Sequence, residues 1–399
     1  MKILYIHQYF MTPDDAAGTR SYWIAQELIN RGHQVTMLTT SSQIEKKVEK
    51  KNVNGIEVIY LKVPYSQSMG IFARLKSFLS FMLKSTRVAL AQKNTDLIIA
   101  TSTPLTIGFP ALVAKKIKKT PFLFEVRDLW PEVPIQMGGL NNKYAIKLAR
   151  WFERTIYKNA THIVALSPGM EEGVIDCDVP QNKVSMIPNM SKIDIFWQRE
   201  KDMDLAKSLG LKPDTFKTVY FGAMGLANGM HYIIEGIKEL KNDPSIEFVF
   251  IGSGSTEDDL KKKCTTYGIE NAHFLGDIPL KKLSDIVNIC DVSLVTFGDL
   301  PILATNSPNK LFDSLSAGKP IIVNSPGWTK DMVEKHNCGV FSDPKKPEEL
   351  AAKIRYLKEN PSICSEMGIN SRKLAETKYD KSILCAEFAD VVDGLSLKN

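Results

Sequence analysis

The sequence lacks the long apolar segment and the leader that would mark a membrane-spanning or secreted protein. No uninterrupted apolar run reaches the ~18 residues of a membrane-spanning helix. The amino-terminal segment MKILYIHQYF has neither the basic region nor the cleavage site of a secretory signal peptide. We therefore predict a chain that does not span a membrane and that stays in the cytoplasm.

Metal-binding and dinucleotide-binding patterns are also absent. The six cysteines form no C-x-x-C pair and the six histidines form no H-x-x-x-H pair. We therefore expect reduced thiols, no metal site and no resident cofactor. The sequence contains no G-x-G-x-x-G motif, which argues against a dinucleotide-dependent dehydrogenase.

Charge is unevenly distributed along the chain. The formal net charge is +6, and residues 1–200 hold 26 Lys and Arg against 17 Asp and Glu. This excess indicates either an anionic surface or substrate in the first half, or only solvated lysine side chains. Nucleic acid is not expected as a partner, because aromatic residues are not interleaved with the basic ones and the second half is net acidic.

Length and periodicity predict an α/β protein of two domains. The 399 residues exceed what one hydrophobic core usually supports, and short apolar runs alternate with amphipathic helical segments. We predict a Rossmann-like domain over residues 1–195, a second over 196–378 and a closing helix over 379–399 that crosses back to the first domain. The predicted strands are 2–7, 34–40, 56–61, 96–101, 121–126, 161–167 and 184–188, then 217–223, 246–252, 272–276, 292–297, 320–324 and 339–342.

Glycine-containing turns follow several of these strands, where open α/β sheets bind ligands. Gly18 and Arg20 come after the first strand and could contact a phosphate, although Gly18 could equally relieve a tight turn. Three successive strands of the second half also end in such turns, which favours a nucleotide cleft over three unrelated turns. Their residues are Gly222, Gly225 and Gly229, then Gly252, Ser253 and Gly254, then Gly276 and Asp277.

The segment TNSPNKLFDSLSAGKPIIVN predicts a helix that begins beside a bound anion. Thr305, Asn306 or Ser307 can cap this helix, and Gly318 can end it. Lys310 in the first turn opposes the helix dipole, so a diphosphate would explain it better than helix stability does. Asp313 lies one turn further and could accept hydrogen bonds from a ribose. The alternative is a solvated pair between Lys310 and Asp313.

The segment RDLWPEVP places polar groups at the carboxyl end of a strand in the first half. Arg127 and Asp128, with Glu132 nearby, are candidates to bind sugar hydroxyls or to handle a proton. An Arg–Asp pair that only supports the loop is equally compatible with the sequence.

Residues 71–90 predict an amphipathic helix with basic side chains outside its apolar face. This composition is typical of a helix that meets anionic lipid. A helix packed on the sheet would look similar, so both interpretations stay open.

Together these motifs resemble the retaining nucleotide-sugar glycosyltransferases of family 4, which have the GT-B fold of two facing Rossmann-like domains. The matching segments span nearly the whole chain, and the subgroup most similar is the bacterial O-antigen and capsule transferases of N-acetyl-L-fucosamine. The matching segments include EVRDLWPE, ATHIVALSPGM, YFGAMG, FVFIGSGS and SPNKLFDSLSAGKPIIV.

The resemblance implies transfer of a sugar, with retention, from a UDP-sugar to a glycan on a polyprenyl diphosphate at the inner face of the membrane. Lys310 would contact the diphosphate together with Arg20, residues Asp277 to Pro279 the uracil, and Asp313 the ribose. Asp128 and Arg127 would act with Lys310 in transfer. The complete nucleotide-sugar set is Gly18, Arg20, Gly222, Gly225, Asn228, Ser253, Asp277, Ile278, Pro279, Thr305, Asn306, Ser307, Lys310, Leu311 and Asp313.

The sequence departs from the family pattern at the phosphate site. The first glutamate of the usual i, i+8 pair is replaced by Thr305, and the common Arg and Lys after the second-domain glycine are replaced by Ala223 and Asn228. Two other functions remain as alternatives: a GT-B UDP-sugar 2-epimerase, and a non-catalytic protein bound peripherally to the membrane.

Overall fold

Two mostly parallel sheets organise the chain. The computed structural model describes residues 1–15, 19–65 and 69–396. The first sheet contains strands β1 (Lys2–Ile6), β2 (Gln34–Ser41), β3 (Val48–Val53), β4 (Ile56–Lys62), β5 (Leu97–Thr101), β6 (Phe122–Val126), β7 (His162–Ala165) and β8 (Val184–Met186). Their order is β3-β4-β2-β1-β5-β6-β7-β8, and β3 is antiparallel to β4. The other pairings in this sheet are parallel.

The second sheet is parallel and has the doubly wound order β11-β10-β9-β12-β13-β14. Successive strands are therefore added on one side of β9 up to β11 and on its other side from β12 onward, and the switch point between β9 and β12 is where such sheets bind ligands. The strands are β9 (Phe216–Phe221), β10 (Ile246–Ile251), β11 (Ala272–Phe274), β12 (Val292–Val295), β13 (Ile321–Val323) and β14 (Gly339–Phe341).

Helices connect the strands and cover the sheets. They are α1 (Arg20–Asn30), α2 (Ile71–Ala91), α3 (Gly108–Lys118), α4 (Glu132–Gln136), α5 (Lys143–Asn159), α6 (Pro168–Ile175), α7 (Met203–Ser208), α8 (Met230–Ile237), α9 (Glu257–Tyr267), α10 (Leu280–Ile289), α11 (Asn309–Ser316), α12 (Trp328–Lys335), α13 (Pro347–Glu359), α14 (Pro361–Leu374) and α15 (Lys381–Ser396). Within the described residues, no helix is long and apolar enough to cross a membrane.

The strands form where the sequence supplies short apolar runs. Every residue of β6, FLFEV, is buried, as expected for a parallel strand covered on both faces. All the predicted strands are present, and their ends differ from the prediction by at most two residues. Among the described residues, the one strand not predicted is β3, in whose sequence VEKKNV three of the six residues are charged. Lysine side chains are typical of an edge strand, because they discourage pairing with another chain.

The last helix, α15, packs against α1 of the first domain. Arg31 pairs with Asp390 at 2.6 Å and with Asp393 at 3.0 Å, and His33 Nε2 lies 2.8 Å from Asp393. These contacts join the end of the chain to the domain in which it begins.

Candidate functional site

Three glycine turns lie side by side at the carboxyl edge of the second sheet, as the sequence predicts. Gly222 and Gly252 follow the neighbouring strands β9 and β10, with φ of +119° and +121°. A Cβ on Gly252 would lie 2.2 Å from the carbonyl oxygen of Gly222, so only glycine fits there. The Gly252 N–H donates to the Gly276 carbonyl at 2.7 Å. The three turns therefore form one continuous backbone surface.

The outer part of this surface carries the predicted uracil contacts. Ser253 Oγ donates to Asp277 Oδ2 at 2.7 Å, and this pair is exposed. Pro279 precedes α10 as its N-cap, and Ile278 is half-buried between them. The four residues are thus adjacent, and contact of Asp277, Ile278 and Pro279 with the uracil, with Ser253 elsewhere on the nucleotide-sugar, stays a prediction.

Lys310 extends from the first turn of α11 across the switch point of the sheet. Its Nζ donates to Tyr220 Oη at 2.6 Å and to Asn228 Oδ1 at 3.3 Å, and it lies 3.9 Å from the centre of the Tyr220 ring. A Cβ on Gly222 would meet Lys310 Cε at 3.4 Å. Among the described residues, no carboxylate pairs with this ammonium group. Burial lowers the pKa of Lys310 to about 7.

The described polar groups next to Lys310, which together with it form the Lys310 corner, are neutral. Gly225 precedes a short turn, Leu226–Asn228, in which the Asn228 N–H donates to the Gly225 carbonyl at 3.0 Å. Gly229 then begins α8 with a φ of +64°, and a Cβ there would lie 2.4 Å from the Phe297 carbonyl oxygen. Asn228 therefore lies between a glycine turn and Lys310.

The start of α11 differs from the prediction. Its N-cap is Pro308, and no side chain caps it. Ser307 Oγ instead accepts a hydrogen bond from the Asn189 N–H at 3.1 Å, and the Asn306 carbonyl accepts one from Trp328 Nε1 at 2.8 Å. The Thr305 carbonyl accepts a hydrogen bond from Ser167 Oγ. The predicted caps therefore join α11 to its surroundings, and within the described part of the chain no side chain accepts from the N–H groups of its first turn.

The two charged residues of α11 do not pair with each other. Asp313 is buried and lies 2.8 Å from Lys192 Nζ. Burial raises the pKa of Asp313, and the nearby Lys192 opposes this shift. The alternative of a solvated pair between Lys310 and Asp313 is therefore wrong. Leu311, between them, is fully buried. A ribose contact by Asp313 stays a prediction.

Arg20 does not lie free beside a phosphate site, so its assignment there is wrong. The guanidinium group is buried and pairs with Glu125 at 2.8 Å. It also donates to the carbonyl oxygens of Ile187, at 3.0 Å, and Pro188. A buried cation needs such partners, and Arg20 thereby fastens α1 to β6 and to the end of the first domain. Gly18 lies outside the described residues.

In the first domain, the segment after β6 carries a second set of polar side chains. Asp128 is half-buried, and burial raises the pKa of its carboxyl group to about 6. Arg127 Nη1 lies 3.1 Å from His7 Nε2, whose Nδ1 lies 2.7 Å from Ser21 Oγ. Burial and the neighbouring Arg127 hold the pKa of His7 well below its usual range, so the neutral imidazole accepts from Arg127. The sequence analysis missed His7, although a histidine directly after a buried strand was the available signal.

The partner of Glu132 lies on another helix of the first domain. Glu132 pairs with Arg150 of α5, with Arg150 Nη2 2.6 Å away. It is therefore a support for α5, and its assignment to sugar binding beside Arg127 and Asp128 is not supported by its contacts.

Helix α2 buries small and aromatic side chains and exposes several leucines. Ser77, Phe81 and Ser85 face the interior, whereas Phe72 is 88% exposed and Leu83 is 54% exposed. Leu75 and Leu79, on the same side of the helix, are also exposed. Helix α2 therefore packs on the first domain along one side and leaves part of its predicted apolar face exposed, and contact of that face with lipid stays a prediction.

Two domain families match the chain. Residues 15–190 match the glycosyl transferase 4-like domain, and residues 202–374 match the glycosyl transferases group 1 domain. The chain is a glycosyltransferase of the GT-B fold. Its two sheets correspond to these two domains, with the Lys310 corner in the second and Asp128 in the first.

Relatives of this glycosyltransferase include proteins named for polysaccharide synthesis. It is 24% identical to a putative colanic acid biosynthesis glycosyl transferase, WcaI, of Escherichia coli, over 94% of this chain and 95% of the relative. It is 22% identical to the capsular polysaccharide biosynthesis glycosyltransferase CapM of Staphylococcus aureus, over 82% of each. Its fold is similar to that of HepE of Anabaena, solved with UDP and glucose, with a TM-score of 0.73, 17% identity and coverage of 99% and 100%.

Proposed function

We propose that this glycosyltransferase transfers a sugar from a UDP-sugar, with retention of anomeric configuration and without a metal ion, to a polyprenyl-diphosphate-linked glycan. The product would contribute to an O-antigen or capsular polysaccharide, in keeping with the names of the relatives. The resemblance of the sequence motifs suggests N-acetyl-L-fucosamine as the sugar. The observation that carries the proposal is Lys310, a buried amine whose partners are the neutral groups of Tyr220 and Asn228.

Charge stabilisation at the leaving diphosphate is the main contribution of the second domain. Among the described residues, the N–H groups of Asn309 and Lys310 in the first turn of α11 have no hydrogen-bond partner, and they bring the positive end of the helix dipole to the same place as Lys310. Both groups stabilise an anion best when its charge is greatest, which is after the glycosidic bond has broken. This arrangement favours the transition state over the bound donor.

Asp128 and Arg127 act from the facing domain. With a pKa of about 6, Asp128 is mostly ionised at neutral pH and can orient a hydroxyl group of the acceptor or donor. The leaving phosphate accepts the acceptor proton, so Asp128 does not have to be a strong base. Arg127 is held in place by its contact with His7.

Calorimetry with UDP, ADP and GDP in the presence of a chelator tests this function. We expect UDP to bind best and to bind without added magnesium or manganese. Binding that requires the metal contradicts the metal-free mechanism, and a preference for ADP or GDP contradicts the base assignment. Incubation with UDP-sugars and no acceptor separates transfer from 2-epimerisation, since only an epimerase would convert the donor. Failure to bind any nucleotide would favour the non-catalytic alternative.

Association with the inner leaflet would bring the first domain to a lipid-linked acceptor. The exposed leucines of α2 are accompanied by the exposed cations Lys76 and Arg87. Helix α5 repeats this pattern, because Leu148 and Trp151 are exposed beside basic residues. Helix α3 packs against both α2 and α5, so the three helices are neighbours in the first domain. Apolar side chains among cations are typical of surfaces that bind anionic lipid.

Vesicle sedimentation tests this association. The double variant Lys76→Glu, Arg87→Glu should bind vesicles of phosphatidylglycerol and phosphatidylcholine more weakly, by ~1 kcal/mol or more per charge. The control Lys262→Glu, Lys345→Glu makes the same change of charge at exposed positions of the second domain and should sediment like the wild type. Equal loss in both variants, or loss in neither, would contradict the assignment of this surface.

A further inference from the structure

Tyr220 is fully buried against Lys310 and has two hydrogen-bond partners at the edge of the second sheet. It lies near the end of β9, and its Oη donates to the Ala223 carbonyl at 2.6 Å. The same oxygen accepts a hydrogen bond from Lys310 Nζ, also at 2.6 Å. The hydroxyl group therefore joins the glycine turn after β9 to the amine at which the proposed function places the diphosphate.

The orientation of this hydroxyl group is fixed by its partners. A tyrosine hydroxyl group has one proton to donate, and the Ala223 carbonyl can only accept it. Burial raises the pKa of Tyr220 above its usual range, so the proton stays on the oxygen at neutral pH. Oη therefore presents only lone pairs to Lys310, and one N–H bond of the amine must point toward it.

The neighbours of Lys310 Nζ also restrict its remaining N–H bonds. A protonated lysine has three of them, and in the described part of the chain two have acceptors, Tyr220 Oη and Asn228 Oδ1, at 2.6 and 3.3 Å. The Tyr220 ring covers one side of the amine, with its centre 3.9 Å from Nζ. An ammonium group with two bonds held and one side covered can rotate little, so its third N–H bond keeps one direction.

These partners hold the amine without neutralising it. A carboxylate in the place of Oη would offset the ammonium charge, whereas a hydroxyl group and a ring face attract a cation and carry no charge themselves. Lys310 keeps 8% of its surface exposed, and Tyr220 has none exposed. A substrate can therefore touch the lysine but not the tyrosine, so any effect of Tyr220 on the reaction must act through Lys310.

We propose that Tyr220 is a positioning residue for sugar transfer, whose hydroxyl group holds Lys310 so that the third N–H bond of its ammonium group points at the leaving diphosphate. The inference rests on the proposed function, because it explains how the same site aims its cation. The aim of Lys310 matters most when the charge on the diphosphate is greatest. Loss of the hydroxyl group should therefore affect turnover more than donor binding.

The variant Tyr220→Phe removes the hydroxyl group and keeps the ring. We expect kcat to fall by about 10- to 100-fold, because a small displacement of a catalytic group costs up to ~100-fold in rate, while the KM for the donor changes by less than about threefold. Tyr232→Phe is a matched control, since it removes a buried hydroxyl group of α8 that is bonded to Ser342 Oγ at 2.6 Å. This control should keep the wild-type kcat.

A double-mutant cycle with Lys310→Met separates positioning from damage to the core. If the hydroxyl group acts through Lys310, Tyr220→Phe should lower kcat in the wild-type background and have no further effect in the Lys310→Met background, at saturating donor. An equal fall in both backgrounds would overturn the proposal, as would a folded Tyr220→Phe variant with the wild-type kcat.

Carbon-13 NMR of labelled lysine side chains gives a readout that needs no sugar transfer. The Lys310 signal is the one absent from the spectrum of Lys310→Met. Because a hydrogen bond to Oη stabilises the ammonium form more than the neutral amine, Tyr220→Phe should lower the midpoint of the Lys310 titration by about half a pH unit or more. Tyr232→Phe should leave this midpoint unchanged.

An unchanged midpoint in Tyr220→Phe would overturn the role of its hydroxyl group at Lys310. If the midpoint falls but the wild type neither binds UDP nor turns over a UDP-sugar, the proposed function fails and the positioning of Lys310 by Tyr220 is supported.

Discussion

The lowered pKa of Lys310 predicts that UDP affinity falls as the pH rises. The free enzyme has a Lys310 pKa of about 7, so the amine is half protonated at pH 7 and ~1% protonated at pH 9. A diphosphate beside it favours the ammonium form and raises its pKa, because opposite charges stabilise each other. Binding above pH 7 must therefore take up a proton. If the pKa in the complex is ~10 or higher, the Kd for UDP should rise ~50-fold from pH 7 to pH 9, or ~2.3 kcal/mol.

Calorimetry measures this proton uptake directly. At pH 8 the observed enthalpy of UDP binding should depend on the ionisation enthalpy of the buffer, with a slope near one proton taken up per UDP. The range from pH 7.5 to pH 9 keeps the phosphates of UDP fully ionised, since a terminal phosphate titrates near pH ~6. The slope therefore reports on the protein.

The variant Lys310→Met should bind UDP weakly and with no dependence on pH in this range. Lys238 offers a matched control, because its amine also lies over a ring, 4.9 Å from the centre of Tyr267, but at the far end of α8. Lys238→Met should keep both the affinity and the pH dependence of the wild type. A wild-type affinity that is flat from pH 7.5 to pH 9, with no proton uptake, would refute the assignment of Lys310 to the diphosphate.

Three further predictions concern the buried charges. Arg20→Met should lower the free energy of unfolding in urea by ~3–5 kcal/mol, because it leaves Glu125 buried and unpaired; a change below ~1 kcal/mol would contradict the ion pair. Asp313→Asn should destabilise similarly through Lys192, and Asp313→Leu combined with Lys192→Met should restore most of the loss, as the same denaturation series would show. Wild-type transfer should decline below pH 6 as Asp128 becomes protonated. Because burial raises the pKa of Asp128 in the folded protein, its ionised carboxylate lowers the free energy of unfolding above pH 6. The variant Asp128→Asn should therefore transfer slowly and yet melt at a higher temperature than the wild type at pH 7.5.

The sheets and glycine turns could be predicted because their signals are local. A strand such as β9 shows as a short run of apolar residues, and Gly222 directly after it marks a turn that needs positive φ. The charged strand β3 has no such run, since its stability comes from pairing with β4. A rule based on neighbouring residues also failed to predict the N-cap of α11. Ser307 has the right chemistry for a cap, but tertiary contact with Asn189 uses its hydroxyl group instead.

The partners of buried charges are separated by too many residues for a local pattern to reveal them. Arg20 and Glu125 are 105 positions apart. The residues next to Arg20 in the sequence therefore gave no sign that its partner is a buried glutamate. One signal was nevertheless present: a glutamate in the middle of the otherwise apolar strand FLFEV must be buried, and a buried carboxylate requires a cation. The same rule applied to Lys310 leads to a different result, because its partners among the described residues are the neutral groups of Tyr220 and Asn228. A buried carboxylate that pairs with a cation inside the fold is a structural pair, whereas for a buried amine without such an anion we predict that the substrate supplies it.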